Sequence, residues 1–110
     1  MNVRRLALLA TLVLAAPAFA QLVPDKPIRM VVPFAAGSGT DVAARLLSTA
    51  LAESMRRPVV IENKPGALAV IGTDYGAKAA PDGHTLVATG STAIAAAPSL
   101  FKKLPYDPVK

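Results

Sequence analysis

Pro33-Phe34-Ala35-Ala36-Gly37-Ser38-Gly39-Thr40-Asp41 joins an apolar run, Ile28 to Val32, to an amphipathic stretch that begins near Val42. A strand, a glycine-bearing turn and a helix start in that order leave backbone N–H groups unpaired at the positive end of a helix dipole. That is a ready site for an anion. Two of the three residues in Gly37-Ser38-Gly39 lack a Cβ, so a carboxylate or phosphate can approach the backbone closely, and Ser38 or Thr40 can cap the helix or donate a hydroxyl. The same glycines also suit a plain tight turn. Phosphate chemistry is disfavoured by spacing: the dinucleotide fingerprint needs a glycine where Val42 stands, and a Walker loop needs a lysine before its Ser or Thr. Asp41 acts in two directions, because a carboxylate in the first helical turn steadies the helix yet repels an anion at the same end. It is either an ordinary N-terminal helix carboxylate or an acceptor for its own loop that leaves other N–H groups to a ligand. Ser91 and Thr92, past a later apolar run, repeat this chemistry with hydroxyls or serve as N-caps.

Groups that turn a substrate over are scarce. His84 is the single histidine and there is no cysteine, so no metal cluster or thiol nucleophile can be assembled. His84 follows a turn and precedes a strand, a position for an exposed or packed ring. Gly37-Ser38-Gly39 lacks the spacing of a nucleophile elbow, and paired acids at helical spacing are missing. Binding is expected rather than catalysis, with no catalytic residue, no metal and no cofactor.

The elements that must position the loop follow from periodicity. Ile28 to Phe34 reads as a strand covered on both faces. Val42, Leu46, Leu47, Ala50, Leu51 and Met55 recur at helical spacing as a core stripe, opposite Arg45, Ser48, Thr49, Glu53 and Arg56. Pro58 ends that helix, Val59 to Ile61 forms a second strand, and Asn63-Lys64-Pro65-Gly66 a turn. Ile71 to Ala80 is a weaker helix, since Gly72 and Gly76 each cost about 1 kcal/mol against alanine. Pro81-Asp82-Gly83 stops it, Thr85 to Thr89 forms a third strand, and Gly90-Ser91-Thr92 opens an alanine-rich helical stretch that Pro98 interrupts. Strands alternating with helices predict an open parallel α/β sheet with right-handed crossovers. With a 2-1-3 order, the loops Phe34–Asp41 and Gly90–Thr92 become neighbours at the carboxyl ends of the strands, where ligands collect.

Residues 1–20 have the parts of a secretory signal peptide. Arg4 and Arg5 are basic, Leu6 to Ala16 is an apolar run too short to span a bilayer, and Ala18-Phe19-Ala20 supplies the small residues before a cut after Ala20. General secretion and twin-arginine export both remain open. Removing this segment leaves ten basic and seven acidic residues, a mild excess of +3 with few aromatics, which argues against a nucleic-acid partner. Residues 21–110 can bury only a modest core. Leu104 to Lys110 reads as a loop leading onward, so the front part of a longer protein is expected.

The succession Ile28 to Asp41 (IRMVVPFAAGSGTD), Pro58 to Ala67 (PVVIENKPGA), Ala77 to Leu86 (AKAAPDGHTL) and Leu100 to Lys110 (LFKKLPYDPVK) resembles the Bug family, the periplasmic solute receptors of tripartite tricarboxylate transporters. The resemblance runs through essentially all of residues 21–110, in order. It implies a type II periplasmic-binding, Venus-flytrap fold, of which this chain is an incomplete first lobe lacking the second. It further implies a small carboxylate ligand, a membrane permease as partner of the full-length receptor, and a periplasmic location. The ligand-binding residues it implies are Phe34 to Asp41 and Ser91-Thr92, with Ala67 nearby. Three departures stand out: Ser38 between glycines where the family runs two or three together, Leu68 and Ala69 in a turn the family makes of glycine, and Ala97 where asparagine often precedes the proline. One lobe alone is expected to hold carboxylates weakly or not at all, because closure takes two. An α/β-lobe enzyme acting on an anion, and a truncated remnant without function, are the other readings of the chain.

Overall fold

A computed structural model describes residues 26–109, so the signal-peptide reading for residues 1–20 lies outside the described residues. β1 (Ile28–Val32), β2 (Val59–Asn63) and β3 (Thr85–Val87) pair in parallel, as the alternation of elements predicts, and their order is β2-β1-β3, the arrangement that makes the first and third loops neighbours. In β1, Ile28, Met30, Val31 and Val32 are buried, as a central strand covered on both faces requires. Successive side chains point to opposite faces. Met30 and Val32 pack with Ala44, Leu51, Val59 and Ile61 under helix α1 (Gly39–Met55). On the other face Arg29 reaches Tyr75 of helix α2 (Val70–Ala77), its Nη1 donating to the phenol oxygen at 2.7 Å.

Helix α1 corrects the periodicity reading. The apolar stripe expected in the core is largely outside: Val42, Leu47 and Met55 are about half exposed and Leu46 is 72% exposed, while only Leu51 packs against the core. The buried residues of α1 are Asp41, Ala44 and Ser48. Asp41 fixes this rotation, because its carboxylate is held by groups at the carboxyl edge of the sheet. Ala44 and Ser48, one and two turns on, are then the residues beneath the helix, and their small side chains allow close approach to β1 and β2. The Ser48 hydroxyl keeps a partner by donating to the Arg45 carbonyl at 2.8 Å.

Gly72 and Gly76, which weaken α2 as an isolated helix, let it lie against the sheet. A Cβ at Gly72 would fall 2.5 Å from the Lys64 carbonyl oxygen and 2.6 Å from Pro33 Cβ, and one at Gly76 would strike Val87. Past β3, a π-helical turn (Thr92–Ala96) runs into the short helix α3 (Ala97–Leu100), with Ala97 N–H donating to the Thr92 carbonyl. Pro98 sits in the first turn of α3 directly after the π-helical turn, so the helical run continues through it rather than stopping there. Residues 101–109 contain no helix or strand, but Tyr106 ties them back by donating to the Ala93 carbonyl at 2.7 Å.

Candidate functional site

The loop from Phe34 to Thr40 crosses the carboxyl edge of β1. Gly37 adopts φ 84°, a left-handed value natural to glycine. Ser38 is extended (φ −67°, ψ 162°) and its Oγ accepts the Asp41 N–H at 3.3 Å, which makes it the N-cap of α1. The Val42 N–H donates to the Ser38 carbonyl at 2.9 Å and the Ser38 N–H to the Ala35 carbonyl at 3.1 Å. The N–H groups of Gly39 and Thr40, ahead of the first intrahelical bond, take no part in these hydrogen bonds. They are the orphan donors that a helix start leaves for a ligand.

Asp41 is turned inward and is 1% exposed. Its Oδ2 accepts the Gly37 N–H and Arg45 Nε, each at 2.8 Å, and its Oδ1 accepts Asn63 Nδ2 at 2.8 Å. Of the two roles open to it, the second is the one drawn here: Asp41 braces its own loop. These partners hold its carboxyl well below the usual carboxylate range, Arg45 foremost, then Gly37 and Asn63. Arg45 in turn is pushed above its ordinary value by the same pair. The charge that would repel an anion at this helix end is therefore buried and paired.

The loop after β3 lies beside this one, as the 2-1-3 order requires. The Ala88 N–H donates to the Val31 carbonyl at 2.9 Å, and a Cβ at Gly90 would come within 3.9 Å of the Phe34 ring. Phe34 is half-buried, Ala35, Ala36, Gly37 and Gly39 are exposed, and Ser38 and Thr40 are half-buried. Ser91 is exposed and makes no capping bond through its side chain, so its hydroxyl is not spent as a cap; Thr92 is half-buried at the start of the π-helical turn. Ala67 stands apart on the β2 side. Its turn reaches the loop through α2, where Gly72 packs on Pro33.

Three residues of this region were not singled out from sequence. Asn63 ends β2 level with Val32 and bonds both Phe34 and Asp41. Arg45 stands four residues after Asp41, the spacing of a helical ion pair, and that spacing could have identified it. Thr89, just past β3, holds a buried Oγ1 with no hydrogen-bond partner, a feature without a sequence signal.

A concavity of about 610 Å³ lies near the amino ends of the strands, lined in part by Lys26, Arg29, Tyr75, Lys78 and His84. Cations there are already paired: Lys26 with Asp82 at 3.1 Å and Lys78 with Asp74 at 2.7 Å. His84 is buried with Nδ1 3.0 Å from the Asp82 carbonyl oxygen and Nε2 3.4 Å from Arg57 Nη1, the packed reading of this ring. The carboxyl edge differs from this concavity in carrying unpaired N–H donors at a reversal of strand order, where ligands collect in open α/β sheets.

A sequence model described as the tripartite tricarboxylate transporter family receptor matches residues 43–110. Protein BugT of Bordetella pertussis is 48% identical over 99 residues, covering 89% of this chain and 30% of that protein. A solved structure titled as that of a periplasmic transporter superposes with a TM-score of 0.77 at 43% identity, over 81% of this chain and 30% of the other. MatC from Rhodopseudomonas palustris with bound malate gives a TM-score of 0.74 at 43% identity, over 80% of this chain and 30% of that one. The chain thus spans about 30% of the length of the relatives it matches.

Proposed function

The chain belongs to the receptor family of the tripartite tricarboxylate transporters, and from that premise we propose that it forms the first-lobe half of a carboxylate grip in a periplasmic solute receptor. The unpartnered N–H groups of Gly39 and Thr40, beside a neutralised Asp41, carry this reading. One carboxylate of a small organic acid sits against these donors, with Phe34 to Ser38 as one wall and Ser91 and Thr92 as the other. Ala67 lies apart from these donors on the β2 side, linked to the loop through α2. The similarity to a malate-bound protein supports a small dicarboxylate. Delivery of the acid to a membrane permease, export under a signal peptide cut after Ala20, and a second lobe completing the clamp belong to the same proposal. The donors are neutral amides, and Arg45 and Lys64 are ion-paired with Asp41 and Glu62, so affinity should depend little on salt.

Titration of the ¹⁵N-labelled 110-residue chain with malate tests the reading. Shifts should concentrate on the amides of Gly39, Thr40, Ser91 and Thr92, with weak affinity because a single lobe cannot exclude water around the acid. Shifts concentrated instead around Lys26, Arg29 and Lys78 would move the site to the opposite edge of the sheet. Micromolar affinity by calorimetry would show that closure is unnecessary.

A further inference from the structure

The loop is tied at both ends by one side chain that lies outside it. Asn63 Nδ2 donates to the Phe34 carbonyl at 3.1 Å, where the loop leaves β1, and to Asp41 Oδ1 at 2.8 Å, where it enters α1. Asp41 then passes the constraint on through Oδ2, which takes the Gly37 N–H at the tip. Arg45 closes the arrangement from α1, with Nε on Asp41 Oδ2 at 2.8 Å and Nη2 within 3.4 Å of Asn63 Oδ1. Resting on the carboxylate reading above, we propose that Asn63 is the positioning residue of this grip and that Arg45 is its electrostatic complement.

The physical case has two parts. Asn63 satisfies one oxygen of a buried carboxylate and a part-buried backbone carbonyl with the two N–H bonds of a single rigid amide, so its loss leaves both acceptors short and releases the loop at two points. Arg45 cancels the charge of Asp41, so the dipole at the start of α1 still attracts an anion at Gly39 and Thr40. Asn63 reaches these partners because it ends β2 in register with Val32, one residue before the loop root at Pro33. It touches no ligand in this role.

The test uses the ¹⁵N-labelled 110-residue chain and its Asn63→Asp variant, read by amide shifts and malate titration. At pH 7 the introduced carboxylate faces Asp41 without a proton to share. The Gly37 amide should move toward an unbonded shift while the β1 amides stay in place, and malate should bind about tenfold more weakly at Gly39 and Thr40, the order set by one hydrogen bond to a charged group. Acidifying the variant until the introduced carboxyl gains a proton should return Gly37 toward its original position. A role in packing alone would not produce that pH response. A Gly37 amide unmoved at pH 7, or unprotected in the unmodified chain, overturns the proposal and leaves the carboxylate reading standing. Gly37 moving with no change in malate affinity also overturns the positioning role. Absence of any malate shift in the unmodified chain overturns the carboxylate reading and the positioning role together. Should Asn63→Asp lose the β1 signals, Asn63→Ser, which keeps a hydroxyl but cannot span both acceptors, replaces it and is judged at pH 7 by the Gly37 shift and the malate affinity.

Discussion

At the first strand-to-helix junction Gly37 alone takes a positive φ, Ser38 caps α1, and Asp41 gathers three donors. At the second, Ala67, Leu68 and Ala69 take φ 47°, 54° and 68° in succession, and no side chain caps α2. Each left-handed residue with a Cβ costs about 1–2 kcal/mol. Packing must therefore hold what hydrogen bonds do not. Ala69, Val70, Gly72 and Thr73 are buried, and Gly72 rests on Pro33 and Lys64, so α2 is pressed onto the sheet and the turn before it follows. The first junction is ordered by polar contacts that leave two amides free for a ligand. The second is ordered by contact with the sheet, and exposes Leu68 by 54%.

The sharpest way to break this comparison is to add one methyl group to each junction. Gly72→Ala places a Cβ against the backbone of Lys64 and Pro33, and overpacking of this kind costs about 1–3 kcal/mol, toward the upper end where backbone must move. Gly39→Ala meets nothing within 4 Å and should change stability by less than about 0.5 kcal/mol. Urea unfolding of the two variants reads the difference. Equal losses would mean that α2 is not seated as tightly as its glycines indicate.

A smaller and opposite pair of effects follows from φ. Leu68→Gly relieves a left-handed strain at an exposed position, offset partly by the greater freedom of glycine when unfolded, and should gain about 1 kcal/mol. Gly37→Ala introduces the same strain where the site needs the turn and should lose about 1–2 kcal/mol. Thermal melts should then move in opposite directions, by about 4–8 °C per kcal/mol for a domain of this size. A falling melting temperature for Leu68→Gly would show that its side chain holds the turn by contacts that outweigh the backbone cost.

The two junctions also differ in how well their residues could be read in advance. The parallel α/β sheet follows from the alternation of apolar runs, which depends on few residues, whereas its β2-β1-β3 order is one of the arrangements that alternation allows. The helix face does not. Val42, Leu46, Leu47 and Met55 give a periodic stripe, but rotation about the helix axis is set by Asp41, whose burial depends on Asn63 from 22 residues away. A charged residue at the sheet-facing position is what periodicity excludes, so the rule failed at the site itself. The turn at Gly37 and the cap at Ser38 are legible because their roles are local, whereas Asp41 stays between two roles until Asn63 is beside it. Asn63 has the sequence signature of a turn residue, and its role emerges only when β1 and β2 pair and bring Phe34 and Asp41 to it. The left-handed run at Ala67 to Ala69 carried no signal in residue type, because nothing short of glycine or asparagine announces a positive φ.

Acid should separate the junctions by the smallest but most selective effect. Arg45, the Gly37 N–H and Asn63 together hold the Asp41 carboxyl below its ordinary value of 3.8. A carboxylate whose folded pKa is depressed adds stability in full above the unfolded value and loses it as pH falls below that value toward the folded one. Asp82, lowered by the His84 N–H and Lys26, adds a slope of the same sign elsewhere in the fold. Residues 64 to 70 of the second junction contain no carboxylate of their own; Glu62 meets them at the end of Lys64, at 3.2 Å. Between pH 7 and about 4 both junctions should be indifferent to acid; below about 4 stability should fall, and the Gly37 amide should shift ahead of that of Val70 as pH nears the depressed Asp41 value. Asp41→Asn should abolish the early response at Gly37 and flatten the fall of the urea midpoint with acid, while the Asp82 contribution stays. If Gly37 and Val70 instead respond together in the unmodified chain, the polar brace and the packed turn are one cooperative unit, and the contrast between them is lost.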